Sequence, residues 1–215
     1  MSRAQRWTAW SGLPAIVAAL SGACAPLTMN GADQSVQDTT RVVVPAGYGT
    51  LRQDDITVPL QSGALLVKLT PLDEPTLRLL APDTYSRLHA VRESRRDEAV
   101  RTALADPELF LVSFFSYQPD VSFQPEDVQL VYQARLLRPA SVIPLTSGWG
   151  RQRLGQQETQ SAVYTFEGPI DFDQTFTVRY GLIESSDWQR IVPLLETERA
   201  KIATRAGTSG TTSGR

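Results

Sequence analysis

The sequence of 215 residues contains a single cysteine, Cys24, and a single histidine, His89. A thiolate can serve as a nucleophile or a metal ligand, and an imidazole can serve as a general base. One cysteine excludes an internal disulfide framework and any site built from several cysteines, and one histidine excludes a histidine-rich metal site. We therefore predict neither a bound metal nor a cofactor, and the position of Cys24 in the chain becomes the informative feature.

His89 follows Leu88 in a densely charged stretch with a helical pattern. A general base needs a partner and a cleft. The charged neighbours favour a surface or packing role for His89, and general-base catalysis is the alternative. The chain contains neither a G-x-S-x-G nucleophile motif nor a phosphate-binding loop. We therefore predict no catalytic residue and a protein that is not an enzyme.

Residues 1–23 have the pattern of an export signal. Arg3 and Arg6 form a positive N-terminal region, and the mostly apolar run 7–20 follows it. This run is shorter than the roughly 20 apolar residues that a membrane-spanning helix needs, and Pro14 weakens it further as a stable span. The pattern predicts a segment that directs export and is then removed.

Three small residues, Ser21, Gly22 and Ala23, lead directly from the apolar run to Cys24. This arrangement resembles the lipobox of bacterial lipoproteins. The resemblance implies that Cys24 receives a diacylglyceryl group through a thioether and becomes the first residue of the mature chain. An ordinary cleaved signal with an incidental cysteine is the alternative. The residue after the cysteine is Ala25 and not aspartate, which favours an outer-membrane location facing the periplasm in a cell with two membranes.

The charge balance limits the possible partners of the protein. The formal net charge is −2, whereas nucleic-acid binding proteins normally carry a strong basic excess. Removal of Arg3 and Arg6 with the signal leaves 19 of the 21 basic residues against 23 acidic ones. Such a chain gains nothing from anionic headgroups, so the lipid on Cys24 would have to hold it at the membrane. We expect a cell-envelope protein that has no nucleic-acid partner and contacts another envelope protein.

The chain divides into four segments. After the signal 1–23, residues 24–40 are small and polar and indicate a flexible tether. Residues 41–205 form the single predicted domain, and the Gly/Ser/Thr-rich stretch 206–215 is typical of a disordered tail. Hydrophobic residues make up 41% of the chain and charged residues 20%, which is enough apolar surface for a packed core.

Alternating apolar residues predict several strands within the domain. A hairpin is expected with a three-residue loop, 61–63, in which Gly63 supplies a left-handed position, and its first strand should lie at a sheet edge because Pro59 has no N–H to donate. The segment 109–117 is apolar on both faces and should be a central strand. The remaining predicted strands are 128–136, 161–167 and 175–183.

Two segments have a helical pattern, one at about 83–105 and one at about 187–204. Pro193 should kink the second helix or begin another one. Strands joined by short loops favour antiparallel pairing. The predicted fold class is mostly β (α+β): an antiparallel immunoglobulin-like β-sandwich with a helical insertion and a C-terminal helix.

The loop 144–160 is the most unusual stretch of the domain. Its glycines flank Trp149, Arg151 and Arg153. Tryptophan and arginine commonly anchor protein interfaces, so these three residues are candidates for partner binding. Trp149 could instead fold inward and cover the end of the sandwich. The function predicted is a non-catalytic, lipid-anchored envelope protein, and the alternative is a small-ligand-binding or hydrolytic domain with its site in this loop.

Overall fold

The computed structural model describes residues 44–102 and 107–211. The signal, the tether and Cys24 lie outside the described residues. The described part belongs to one compact unit, Arg41–Arg215. It contains eleven strands, which are, in chain order, β1 (Val58–Ser62), β2 (Leu65–Pro71), β3 (Glu108–Ser116), β4 (Val121–Ser122), β5 (Val128–Tyr132), β6 (Arg135–Leu137), β7 (Pro139–Pro144), β8 (Arg153–Leu154), β9 (Thr159–Phe166), β10 (Thr177–Tyr180) and β11 (Ile183–Ser185).

The strands form two antiparallel sheets and a short ribbon. The five-stranded sheet has the order β1–β2–β3–β9–β7, and the four-stranded sheet has the order β11–β10–β5–β6. Strands β4 and β8 pair as the ribbon. The rings of Phe114 on β3 and Tyr180 on β10 are in contact across the two sheets, with centroids 5.8 Å apart. The predicted antiparallel sandwich is therefore confirmed.

The sequence pattern correctly identified the first hairpin and the central strand. β1 pairs only with β2 and lies at the sheet edge, as Pro59 required. The turn consists of Gly63, with φ +60°, and Ala64, so that Gln61 and Ser62 belong to the strand and not to the loop. β3 lies in the middle of the five-stranded sheet between β2 and β9.

The predicted single strands 128–136 and 175–183 are wrong, because each is a hairpin. Gln133 and Ala134 both have positive φ, 49° and 59°, and reverse the chain between β5 and β6. Gly181, with φ 58°, begins the corresponding turn between β10 and β11. Each two-residue turn shifts the inward-facing positions by one, so the leucines that continue the alternation in the sequence after each turn are exposed.

Among the described residues, the α-helices are α1 (Glu74–Leu77), α2 (Pro82–Thr102) and α3 (Trp188–Thr211). The helical insertion is confirmed and begins at Pro82, since proline suits the first helical position. Residues 103–105, the predicted end of this helix, lie outside the described residues. The C-terminal helix is confirmed and continues past Pro193 without a second helix. It also includes 206–211 of the predicted disordered tail, and 212–215 lie outside the described residues.

Aromatic side chains fill the space between the sheets. Phe110 and Phe114, both fully buried on β3, each belong to one group of rings. Phe110 is in contact with Phe166, Phe172 and Phe176, with centroids 5.4 to 6.1 Å apart, and Trp188 stacks on Phe176 at 4.7 Å. The second group consists of Phe114, Phe123, Trp149, Tyr164 and Tyr180.

The polar atoms of these aromatic residues fix the loops at the edges of the core. Tyr164 donates its hydroxyl to the carbonyl of Pro125 at 3.0 Å, and burial raises the pKa of this phenol, so it remains a donor. The Tyr180 hydroxyl accepts a bond from the Gln124 amide, also at 3.0 Å. Large apolar rings and satisfied polar groups thus stabilise the same core.

Candidate functional site

The loop 144–160 is an ordered connection between strands β7 and β9. A 3-10 helix, Trp149–Arg151, follows β7, and the two residues of β8 then pair with β4. Gln152 ends the 3-10 helix in a left-handed conformation with φ 49°. Trp149 faces inward, whereas the side chains of Arg151 and Arg153 are exposed, so the three predicted contact residues do not lie on one surface.

Trp149 belongs to the core. Its side chain is 7% exposed, and its ring contacts Phe123 at a centroid distance of 5.2 Å and Phe114 at 5.7 Å. A third ring, Tyr164, lies at 6.4 Å. Edge-on contacts of this kind are favourable for aromatic pairs. Trp149 therefore covers the end of the sandwich, which was the alternative to its role as a partner contact.

Arg151 lies at the surface and pairs with the half-buried Glu158. Its Nη2 lies 3.4 Å from Glu158 Oε1, and 70% of the arginine side chain is exposed. Glu158 also accepts bonds from Gln160 Nε2 at 2.9 Å and from the Gly155 amide at 2.7 Å. These two bonds hold the pKa of Glu158 below its ordinary value. Gln160, which is 1% exposed, also donates to the carbonyl of Arg153 and so fixes the loop backbone.

Arg153 forms an ion pair with Asp120 in the loop that follows β3. The arginine side chain is 59% exposed and the aspartate side chain 71% exposed. Together with Arg151 and Glu158, these residues border an open depression of about 510 Å³. We call the four side chains Asp120, Arg151, Arg153 and Glu158 the arginine surface.

The ion pairs of the arginine surface contribute little to folding. Exposed pairs of this kind contribute about 0–1 kcal/mol, because water screens them and two long side chains lose freedom. Arg151 and Arg153 can therefore exchange their present carboxylates for those of another molecule at small cost. The backbone beneath them is fixed by Trp149 and Gln160, so the two guanidinium groups are presented from a rigid support.

His89 belongs to a different cluster, centred on the carboxylate of Glu74. Oε1 of Glu74 accepts from Arg78 Nε and from the Tyr85 hydroxyl, each at 2.9 Å. Oε2 lies 2.9 Å from His89 Nδ1, and the Tyr85 and His89 rings stack at 5.1 Å. The contacts of Tyr85 and His89 with Glu74 join α1 to the first half of α2, whereas the bond from Arg78 stays within α1 and its C-cap.

The electrostatics of this cluster determine what His89 can do. Burial alone would raise the pKa of Glu74, but the bonds from Arg78, Tyr85 and His89 outweigh burial and lower that pKa. The carboxylate is therefore an acceptor, and Nδ1 carries the proton in this bond. The imidazole is oriented, with 37% of its side chain exposed, and its contacts hold two helices together. This geometry is that of the packing role expected from the sequence.

Sequence reasoning did not identify Glu74, Glu158, Gln160 or Asp120. Only Glu74 had a local signal, because Glu74 and Arg78 are four residues apart, as are Tyr85 and His89.

No helix among residues 44–102 and 107–211 is long and apolar enough to cross a membrane. Within the same described ranges, no group of three histidine, cysteine or acidic residues is placed to hold a metal ion.

A comparison of the chain with protein-family models, curated proteins and solved structures finds no match. The function is therefore inferred from this chain's own residues. Those residues comprise Cys24 outside the described part, the arginine surface at one end of the sandwich, and the Glu74 cluster between two helices.

The inward position of Trp149 can be tested through stability. Trp149→Ala removes three ring contacts from the core and should lower the free energy of unfolding by roughly 3–5 kcal/mol. Arg151→Ala, two residues away and exposed, should change it by no more than about 0.5 kcal/mol. Urea unfolding measures both. Equal midpoints for the two variants would contradict the inward placement.

Proposed function

We propose that the protein is a lipid-anchored lipoprotein of the bacterial cell envelope, whose β-sandwich binds another envelope protein and catalyses no reaction. The observation that carries the proposal is the position of the only cysteine, Cys24, directly after an apolar export signal and three small residues. A lone cysteine cannot form a disulfide within the chain or a metal site of several cysteines, but it can carry a lipid. In a cell with two membranes, the domain faces the periplasm from the outer membrane.

The physical argument for the anchor is one of affinity. Each buried CH₂ of an acyl chain contributes about 0.8 kcal/mol, so two or three chains hold a protein at a bilayer where one chain holds it only marginally. The predicted mature chain is acidic, with 19 basic residues against 23 acidic ones, and is not attracted by anionic headgroups. The lipid therefore supplies the binding energy.

The partner-binding role is supported by the shape and chemistry of the domain. Aromatic rings fill the space between the sheets, and the depression beside the loop 144–160 is open and shallow. Small-molecule sites are usually enclosed apolar clefts with a few convergent polar groups. Exposed arginines on a rigid support instead fit a protein surface that offers carboxylates.

Removal of the thiol tests the anchor. In a bacterial host, the wild-type protein should fractionate with membranes and lose residues 1–23, whereas Cys24→Ser should keep them and gain no lipid. Thr28→Ser in the predicted tether is the matched control and should behave as wild type. Identical processing of the wild type and Cys24→Ser, without lipid on either, would overturn the anchor proposal.

Charge reversal tests the partner-binding surface. A photo-crosslinking residue at the exposed Gln156 should capture one envelope protein in intact cells. Arg151→Glu with Arg153→Glu should lower that capture at least about tenfold, since repulsion replaces two charge-assisted contacts. Arg190→Glu, at a side chain that is 76% exposed on α3, is the control and should leave capture unchanged. Equal capture in all three proteins, or none in the wild type, would refute this role for the surface.

A further inference from the structure

The leading segment, residues 44–51, packs against helices before the first strand begins. Its backbone continues into a parallel bridge between Leu51 and Leu80, and the Leu51 amide donates to the carbonyl of Leu79 at 3.2 Å. Arg78 Nη1 donates to the carbonyl of Val44 at 3.2 Å. The segment is thus held along its length by the connection that follows α1.

A buried glutamate of α3 holds the other side of this segment. Glu198 is 1% exposed, and its Oε1 accepts from the Thr50 amide at 3.1 Å and from the Thr50 hydroxyl at 2.8 Å. Arg205 Nη1 lies 3.2 Å from the same oxygen and donates to the Tyr48 carbonyl at 2.7 Å. Lys201 Nζ lies 3.7 Å from Oε2. One carboxylate therefore joins the leading segment to two cations of the helix.

The charge on Glu198 is retained despite burial. Burial alone would raise the pKa of Glu198, but the bonds from Thr50 and Arg205 and the nearby Lys201 outweigh it and lower that pKa. A carboxylate that is buried and charged is costly unless it is paired, so its partners are held strongly. These contacts connect residues 148 positions apart in the chain.

Gly49 lies so close to the backbone of Leu79 that a side chain does not fit at this position. A Cβ on Gly49 would lie 2.1 Å from both the carbonyl carbon and the oxygen of Leu79. The leading segment is therefore packed between the α1–α2 connection on one side and α3 on the other.

We propose that Glu198 and Arg205 form a clamp that holds residues 48–50 on α3 and prevents this segment from opening locally. Residues 48–50 precede the start of β1, which pairs with the end of β2 in the five-stranded sheet. The arginine surface borders the opposite end, where the Gln157 amide donates to the Ser116 carbonyl. The nine residues of β3 separate the two ends by about 30 Å.

Hydrogen exchange of the full chain, with or without lipid, tests the clamp. In Glu198→Ala, peptides that cover Thr50 and Leu51 should exchange roughly tenfold faster or more, while β3 peptides keep the wild-type rate. Glu196→Gln, on an exposed side chain two residues away, is the control and should change neither. Because lipid and partner are not needed for this measurement, its result is independent of the proposed function.

A milder variant keeps the test decisive if Glu198→Ala destabilises the whole domain. Thr50→Val removes only the hydroxyl bond to Glu198 and keeps the amide and the side-chain shape. It should accelerate exchange at Thr50 severalfold, with β3 peptides unchanged. The clamp would be overturned if Thr50 and Leu51 exchanged at the wild-type rate in both variants. It would also be overturned if they exchanged faster only when the β3 peptides did so too.

Discussion

The packing of β3 between two layers is the constraint on which the rest of the structure depends. Phe110 and Phe114 extend from its inner face into the two aromatic groups, and neighbouring strands pair with it on both sides. Its outward-facing Leu111 is also buried, and α2 contacts the edge strand of the same sheet. A strand that buries both faces and both edges fixes the sheets and the helical insertion together. The positions of the loops at either end of β3 therefore depend on the packing of this strand.

Much of this architecture could be predicted from the sequence, because burial leaves a periodic pattern. The central position of β3 and both long helices were correct for that reason, and the edge position of Pro59 followed from its missing N–H. The turns at Gln133 and at Gly181 were missed, since exposed leucines after each turn continue the alternation in the sequence although the chain has reversed there. Gln133 and Ala134 are not typical turn residues, so no local signal was present.

The candidate sites could be predicted only where the chemistry is local in sequence. Arg151 and Arg153 were found as exposed arginines of an unusual loop, but the direction of Trp149 depends on rings from β3 and β9. Glu198 was not identified from the sequence, and the structure shows it 1% exposed and bonded to Thr50. Long-range polar contacts of this kind carry no periodicity, so the sequence could not indicate which charges the fold buries.

The central claim is that the domain is attached to a membrane by a lipid on Cys24. The most direct measurement is the mass of the N-terminal peptide of the protein purified from membranes of a bacterial host. The account predicts a peptide that begins at Cys24 and carries a diacylglyceryl group on the sulfur. A peptide that still contains residues 1–23, or one with a free Cys24 thiol, would contradict the account.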